Sequence, residues 1–150
     1  MEDQNVTAAQ VIAASEKLET DSAALYRELA ARFPQRAGMF EAAAQDSEKL
    51  RLTITRTYQE TISDALEACF CFQGLRLKDY GADMGLGGKV ALAEALQVAK
   101  ALEKTAVTFY EEVAVRSQSL LATIPGAFKR AARKRTARLQ EIEALHQRSR

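Results

Sequence analysis

The stretch Leu18-Glu19-Thr20-Asp21-Ser22-Ala23-Ala24-Leu25-Tyr26 returns eighty-four positions later as Leu102-Glu103-Lys104-Thr105-Ala106-Val107-Thr108-Phe109-Tyr110. Leu, Glu and Tyr recur in register, and the agreement continues through Glu28/Glu112, Ala30/Ala114 and Arg32/Arg116. In both copies the Glu precedes the Tyr by seven residues, which is two turns along one face of a helix. That face also carries the apolar stripe, so the repeat aims a carboxylate inward twice. A buried charge without a partner is expensive. Whatever this chain folds into must therefore neutralise two carboxylates.

The apolar periodicity supports four long helices. Val11, Ser15, Leu18, Ser22, Leu25 and Leu29 trace one stripe, beside the seven-spaced row Ile12, Glu19, Tyr26 and Phe33. Thr7 with Gln10 has the form of a capping box, and Pro34 stops the helix. The second helix carries Phe40, Ala44, Ser47, Arg51, Ile54 and Tyr58 on its stripe, which assigns Arg51 to the interior with Glu48 at its border. The third has Leu92, Ala95, Ala99, Leu102, Ala106, Phe109 and Val113, with Leu96, Glu103 and Tyr110 alongside. The fourth opens around Pro125 and places Phe128, Ala131, Arg135, Arg138, Ile142 and Leu145 inside. The expected spans are about 7–33, 37–63, 90–119 and 126–147. Residues 1–6 are expected to be loose.

Between the second and third helices, residues 64–88 break the helical texture. Apolar residues cluster from Leu66 to Leu77, followed by Gly81, Gly85, Gly87 and Gly88. A connection this long needs a topological reason, and joining two parallel helices is one. The expectation is all-α: one domain over 1–150, two antiparallel helical hairpins joined by a long crossover holding at most a short helical piece. Leu66, Phe70, Phe72, Leu75, Leu77 and Tyr80 would cover one end of the bundle or form a dimer contact.

One long crossover between two hairpins is the ferritin-like arrangement, whose di-metal members take single glutamates from two helices and Glu-x-x-His pairs from the other two. The chain resembles the rubrerythrin-like branch of that superfamily over residues 7–147, through Glu19 to Tyr26, Glu103 to Tyr110 and the Phe-rich crossover. The resemblance implies that Glu19 and Glu103 stand at the single-Glu ligand positions. It places Glu48 and Arg51 at a Glu-x-x-His pair, with Arg51 at the histidine, and Arg135 and Arg138 at the other pair. Tyr26 and Tyr110 would lie beside the carboxylates. Guanidinium stays protonated, bonds carboxylate with two prongs and cannot ligate a cation. The reading is therefore a degenerate centre with no cofactor, in which Glu19, Glu48 and Glu103 pair with Arg51, Arg135 and Arg138. Two alternatives stay open: a partial site holding iron or another divalent metal on Glu19, Glu48 and Glu103, or arginines that snorkel outward. The tyrosines read as core aromatics with their hydroxyls satisfied by Glu. His146 is expected to be exposed.

Two functions lead on these grounds, ahead of a third, a nucleic-acid binder acting through the fourth helix. One is a non-catalytic, dimerising or partner-binding bundle. The other is a di-iron-type oxidoreductase that reduces peroxide or oxidises iron, with electrons supplied by a separate protein. Net charge is +1 on 150 residues, with 47% hydrophobic and 27% charged, which makes no global case for nucleic acid or membrane. The charge is uneven, about +6 over 126–150 and −5 elsewhere. The run Lys129, Arg130, Arg133, Lys134, Arg135, Arg138 has no interleaved aromatics, so nucleic acid is not expected, and a solvated face or an acidic protein partner is. Cys69 and Cys71 read as free thiols, since no second pair completes a zinc site. Without an apolar span or leader-like start, the expected location is the cytoplasm.

Overall fold

The computed structural model describes residues 6–61, 71–72, 75, 77–80, 86–117 and 123–148. Four long helices dominate: α1 (Ala8–Arg32), α2 (Ala37–Thr61), α3 (Leu92–Arg116) and α4 (Thr123–Arg148). The architecture is an all-helical bundle. None of these helices is long and apolar enough to cross a membrane among the described residues.

The helix starts follow local chemistry. Thr7 Oγ1 accepts from the Gln10 backbone at 3.1 Å while Gln10 Oε1 accepts from the Thr7 backbone at 2.8 Å, satisfying two amides that the first turn leaves unpaired. The chain leaves α1 at Phe33 and makes one 3-10 turn at Pro34–Arg36 before α2. α3 begins at Leu92, the first residue of its apolar stripe and two residues later than the expected span, because Glu94 takes the Ala91 amide at 3.1 Å and fixes Ala91 as the cap. α4 begins at Thr123, earlier than expected, with Pro125 inside its first turn where a missing N–H goes unnoticed.

Two short features were not anticipated. Val6–Thr7 (β1) pairs antiparallel with Cys71–Phe72 (β2), Val6 opposite Phe72, so Val6 is not loose. Arg32 at the end of α1 donates to the carbonyls of Gly87 at 2.8 Å and Gly88 at 3.1 Å. Gly87 has φ +73°, a conformation that suits glycine. In the crossover, Leu77–Tyr80 forms a 3-10 turn; Leu75 is buried, and Leu77 and Tyr80 pack on the core. Leu66 and Phe70 lie outside the described residues, as does Cys69; the side chains of Cys71, Phe72 and Tyr58 do too.

The core has two apolar clusters. One gathers Val11, Leu50, Ile54, Phe109, Val113 and Phe128, with Leu75 from the crossover. The other gathers Leu25, Leu29, Phe40, Leu96, Leu102, Ile142 and Leu145. Fully burying a side chain of this size is worth about 1.5–3 kcal/mol, so both clusters contribute heavily. On every helix the residues between the two clusters are polar or small: Ser15, Glu19 and Ser22 on α1, Ser47 on α2, Glu103 and Ala106 on α3, Arg135 and Arg138 on α4. A polar layer therefore divides the core.

Candidate functional site: a buried carboxylate–guanidinium layer

Glu19 and Glu103 are fully buried, and so is Arg135, whose exposure is 0%. The guanidinium lies between the two carboxylates. It donates from Nη2 and Nε to Glu19 at 3.0 and 3.3 Å, and from Nη1 to Glu103 at 2.6 Å. A further bond from Nη2 reaches Ser22 Oγ at 2.7 Å. The two-pronged grip on Glu19 is the geometry that distinguishes Arg from Lys. Burial works against the Arg135 charge, yet the Glu19 and Glu103 carboxylates outweigh it and raise its pKa.

Arg138, 5% exposed, sits one turn further along α4. Its Nη1 donates to Ser47 Oγ at 2.9 Å and to Glu103 Oε2 at 3.4 Å. The guanidinium also lies 5.4 Å from the centre of the Tyr26 ring, within reach of a cation–π attraction. Two carboxylates thus face two guanidiniums, and the layer is neutral.

The tyrosines close the arrangement crosswise. Tyr26 donates its hydroxyl to Glu103, and Tyr110 donates to Glu19, so each repeat's tyrosine serves the other repeat's glutamate. Burial, first, and the adjacent carboxylates, second, push both phenol pKa values well above the usual tyrosine range. Both hydroxyls are therefore kept protonated as donors. Glu103 Oε1 is the one buried side-chain oxygen without a hydrogen-bond partner among the described residues.

Glu48 and Arg51 are placed elsewhere. Glu48 is 37% exposed at its side chain and pairs with Arg27 at 3.1 Å and with Arg51 at 3.3 Å. The Arg27 bond, with a smaller contribution from Arg51, holds its carboxyl below the usual range. The buried positions of α2 are Phe40, Ala43, Ala44, Ser47, Leu50 and Ile54. Leu50 thus takes the interior slot that the sequence stripe gave to Arg51, which turns sideways and stays 32% exposed. His146 departs from expectation in the other sense: it is 6% exposed, with Nδ1 3.4 Å from Lys100 Nζ. Of the basic run on α4, Lys129, Arg130, Arg133 and Lys134 are exposed, while Arg135 and Arg138 are the buried pair.

Two polar members of the layer, Ser22 and Ser47, stood on the sequence stripes without an assigned role. A serine at a core position between apolar residues was the available signal, since a buried hydroxyl needs a partner.

These side chains do not fit a di-metal centre of the ferritin-like kind. Both oxygens of Glu19 are committed to Arg135 and Tyr110, and Glu103 Oε2 accepts from Arg135, Arg138 and Tyr26. The third acid, Glu48, is at the surface. No group of three or more His, Cys, Asp or Glu side chains among the described residues is placed to share an ion. The free oxygen, Glu103 Oε1, belongs to a carboxylate that two guanidiniums already hold, and their charge repels a cation. Comparison with protein-family models, curated proteins and solved structures gives no significant match for this chain.

Proposed function

We propose that this chain is a ferritin-like four-helix bundle, similar to the rubrerythrin branch, in which a buried ion-pair layer stands where relatives keep a metal centre. It acts as a non-catalytic bundle that associates with itself or with a protein partner. The observation carrying this reading is Arg135, wholly buried with its guanidinium bonded to both repeat glutamates. Its positive charge offsets the carboxylates that a metal would otherwise bridge.

The distribution of the two apolar clusters supports the topology. Along α1 the chain passes from the first cluster to the second, along α2 and α3 from the second to the first, and along α4 back again. That order supports antiparallel hairpins α1–α2 and α3–α4, with α2 and α3 parallel. The crossed Tyr–Glu bonds agree, since Glu19 precedes Tyr26 on α1 while their partners run Tyr110 to Glu103 against the direction of α3.

Anaerobic equilibration with Fe(II), Mn(II) and Zn(II), followed by desalting and elemental analysis, tests the reading. The expected result is no stoichiometric metal and no peroxide-dependent turnover. A metal retained at one or two per chain and lost in Glu19→Gln or Glu103→Gln would replace it with the oxidoreductase function. Sedimentation velocity across a concentration series tests self-association; a monomer throughout leaves the protein-partner form of the proposal, which co-purification of a stoichiometric partner would then have to meet.

A further inference from the structure

Arg138 is unusual within the layer because only one of its nitrogens is used. Nη1 serves Ser47 and Glu103, whereas no side chain among the described residues accepts from Nε or Nη2. Neither nitrogen is a buried atom without a partner, so both reach solvent, where an anion can take the place of water. Arg138 also lines a groove between α2 and α4 of about 590 Å³, within the size range of small-molecule sites.

The chemistry of the groove is mixed in a specific way. Met39, Ala42 and Ala43 from α2 face Ala137, Ile142 and Ala144 from α4, so the walls are apolar and mostly small. Lys134 and Arg148 join Arg138 as cations, against Asp46 and Glu141. The lining therefore carries a single net positive charge, with the buried member at the end nearest the polar layer. Asp46 and Glu141 would repel a multiply charged ligand such as a nucleotide or an inorganic phosphate dianion. One negative head group followed by an unbranched apolar body meets every feature.

We propose that the groove between α2 and α4 binds a free medium-chain aliphatic carboxylate, with its head group on Arg138 and Lys134 and its chain along Met39, Ala42, Ala43 and Ile142. The carboxylate takes the open Arg138 donors from the groove side while Nη1 stays on Ser47 and Glu103. The ligand class goes beyond the proposed function and holds whether or not the bundle self-associates.

Decanoate, below its micelle concentration, is the probe, with decanol, acetate and inorganic phosphate as comparisons. The measurements are titration calorimetry and the Nε–Hε proton–nitrogen resonance of Arg138. Decanoate should bind one per chain, at least tenfold tighter than decanol or acetate and tighter than phosphate, and should move the Arg138 resonance. Ala42 is exposed on the groove wall, so Ala42→Glu is a fold-preserving variant; it should weaken decanoate tenfold or more by adding a third carboxylate to Asp46 and Glu141 and cancelling the net positive charge of the lining. Ala42→Gln, similar in shape without the charge, should retain most of the binding. The proposal is overturned if decanoate does not bind, if decanol or phosphate binds as tightly, if the Arg138 resonance stays still at saturation, or if Ala42→Glu binds like the unsubstituted chain.

Discussion

Replacing Arg135 by Met keeps the length of the side chain and removes its charge and five donors. The loss touches three partners at once: Glu19 at 3.0 and 3.3 Å, Glu103 at 2.6 Å and Ser22 at 2.7 Å. Breaking a buried pair by deleting one partner costs about 3–5 kcal/mol, because the other charge is left buried. That is a third or more of the roughly 5–15 kcal/mol that stabilises a typical domain. Glu19→Leu should cost about the same, since it strands the guanidinium. The double variant Glu19→Leu/Arg135→Met is the informative one. It leaves Glu103 facing Arg138 and Tyr26, one negative against one positive, and only the Tyr110 hydroxyl without its acceptor. Its loss should be no more than about 1–3 kcal/mol, the usual consequence of one unmet polar group. The cycle therefore gives a coupling energy of about 3 kcal/mol or more, large for residues so far apart in sequence. Urea unfolding followed by helical circular dichroism at neutral pH measures all four stabilities, with unchanged m-values as the check on two-state behaviour. Single losses that simply add in the double variant would refute the ion-pair layer as the organising element of the core.

Alkaline pH offers an independent readout. Tyr26 and Tyr110 both sit well above the usual value of 10.0, so the unfolded chain ionises first. Their contribution is complete below pH 10 and is lost above it, at about 1.4 kcal/mol per pH unit for each tyrosine until the folded phenols also ionise. Urea unfolding at pH 9 and 11 should show this fall, and Tyr26→Phe/Tyr110→Phe should flatten it. Glu48→Ala should change stability by at most about 1 kcal/mol by thermal melting, since its pairs are half-exposed. Arg133→Glu should raise the melting temperature slightly, because it converts the like-charged i,i+4 neighbours Lys129 and Arg133 into an attractive pair worth about 0.2–0.5 kcal/mol. Thr7→Ala should cost about 1 kcal/mol through loss of the capping box, read in the same melts.

Much of the layer was legible before any coordinates. A carboxylate repeated on two inward stripes and arginines at Leu-like positions of a fourth required one another on charge grounds. The crosswise tyrosines were not legible. Glu19 and Tyr26 are separated by about 10 Å along one helix, too far to touch, so their partners depend on the relative direction of α1 and α3. Arg51 misled because positions 50 and 51 both satisfy a three-or-four spacing after Ser47, and only packing against the neighbouring helix decides which turns inward. His146 was assigned to solvent from its place near the end of the pattern, but α4 continues to Arg148 and keeps that turn against Lys100 on α3. The β1–β2 pairing spans two residues on each strand, too few for any alternation to register.

A bundle whose facing stripes are rich in alanine could slide, because one small side chain fits nearly as well as the next. Here such sliding is arrested. Moving α1 by a single turn, about 5.4 Å, would carry Glu19 into a shell of methyl groups and undo both phenol contacts together. The charged layer acts as a detent, fixing the phase of the four helices in a way that apolar contacts alone would leave loose.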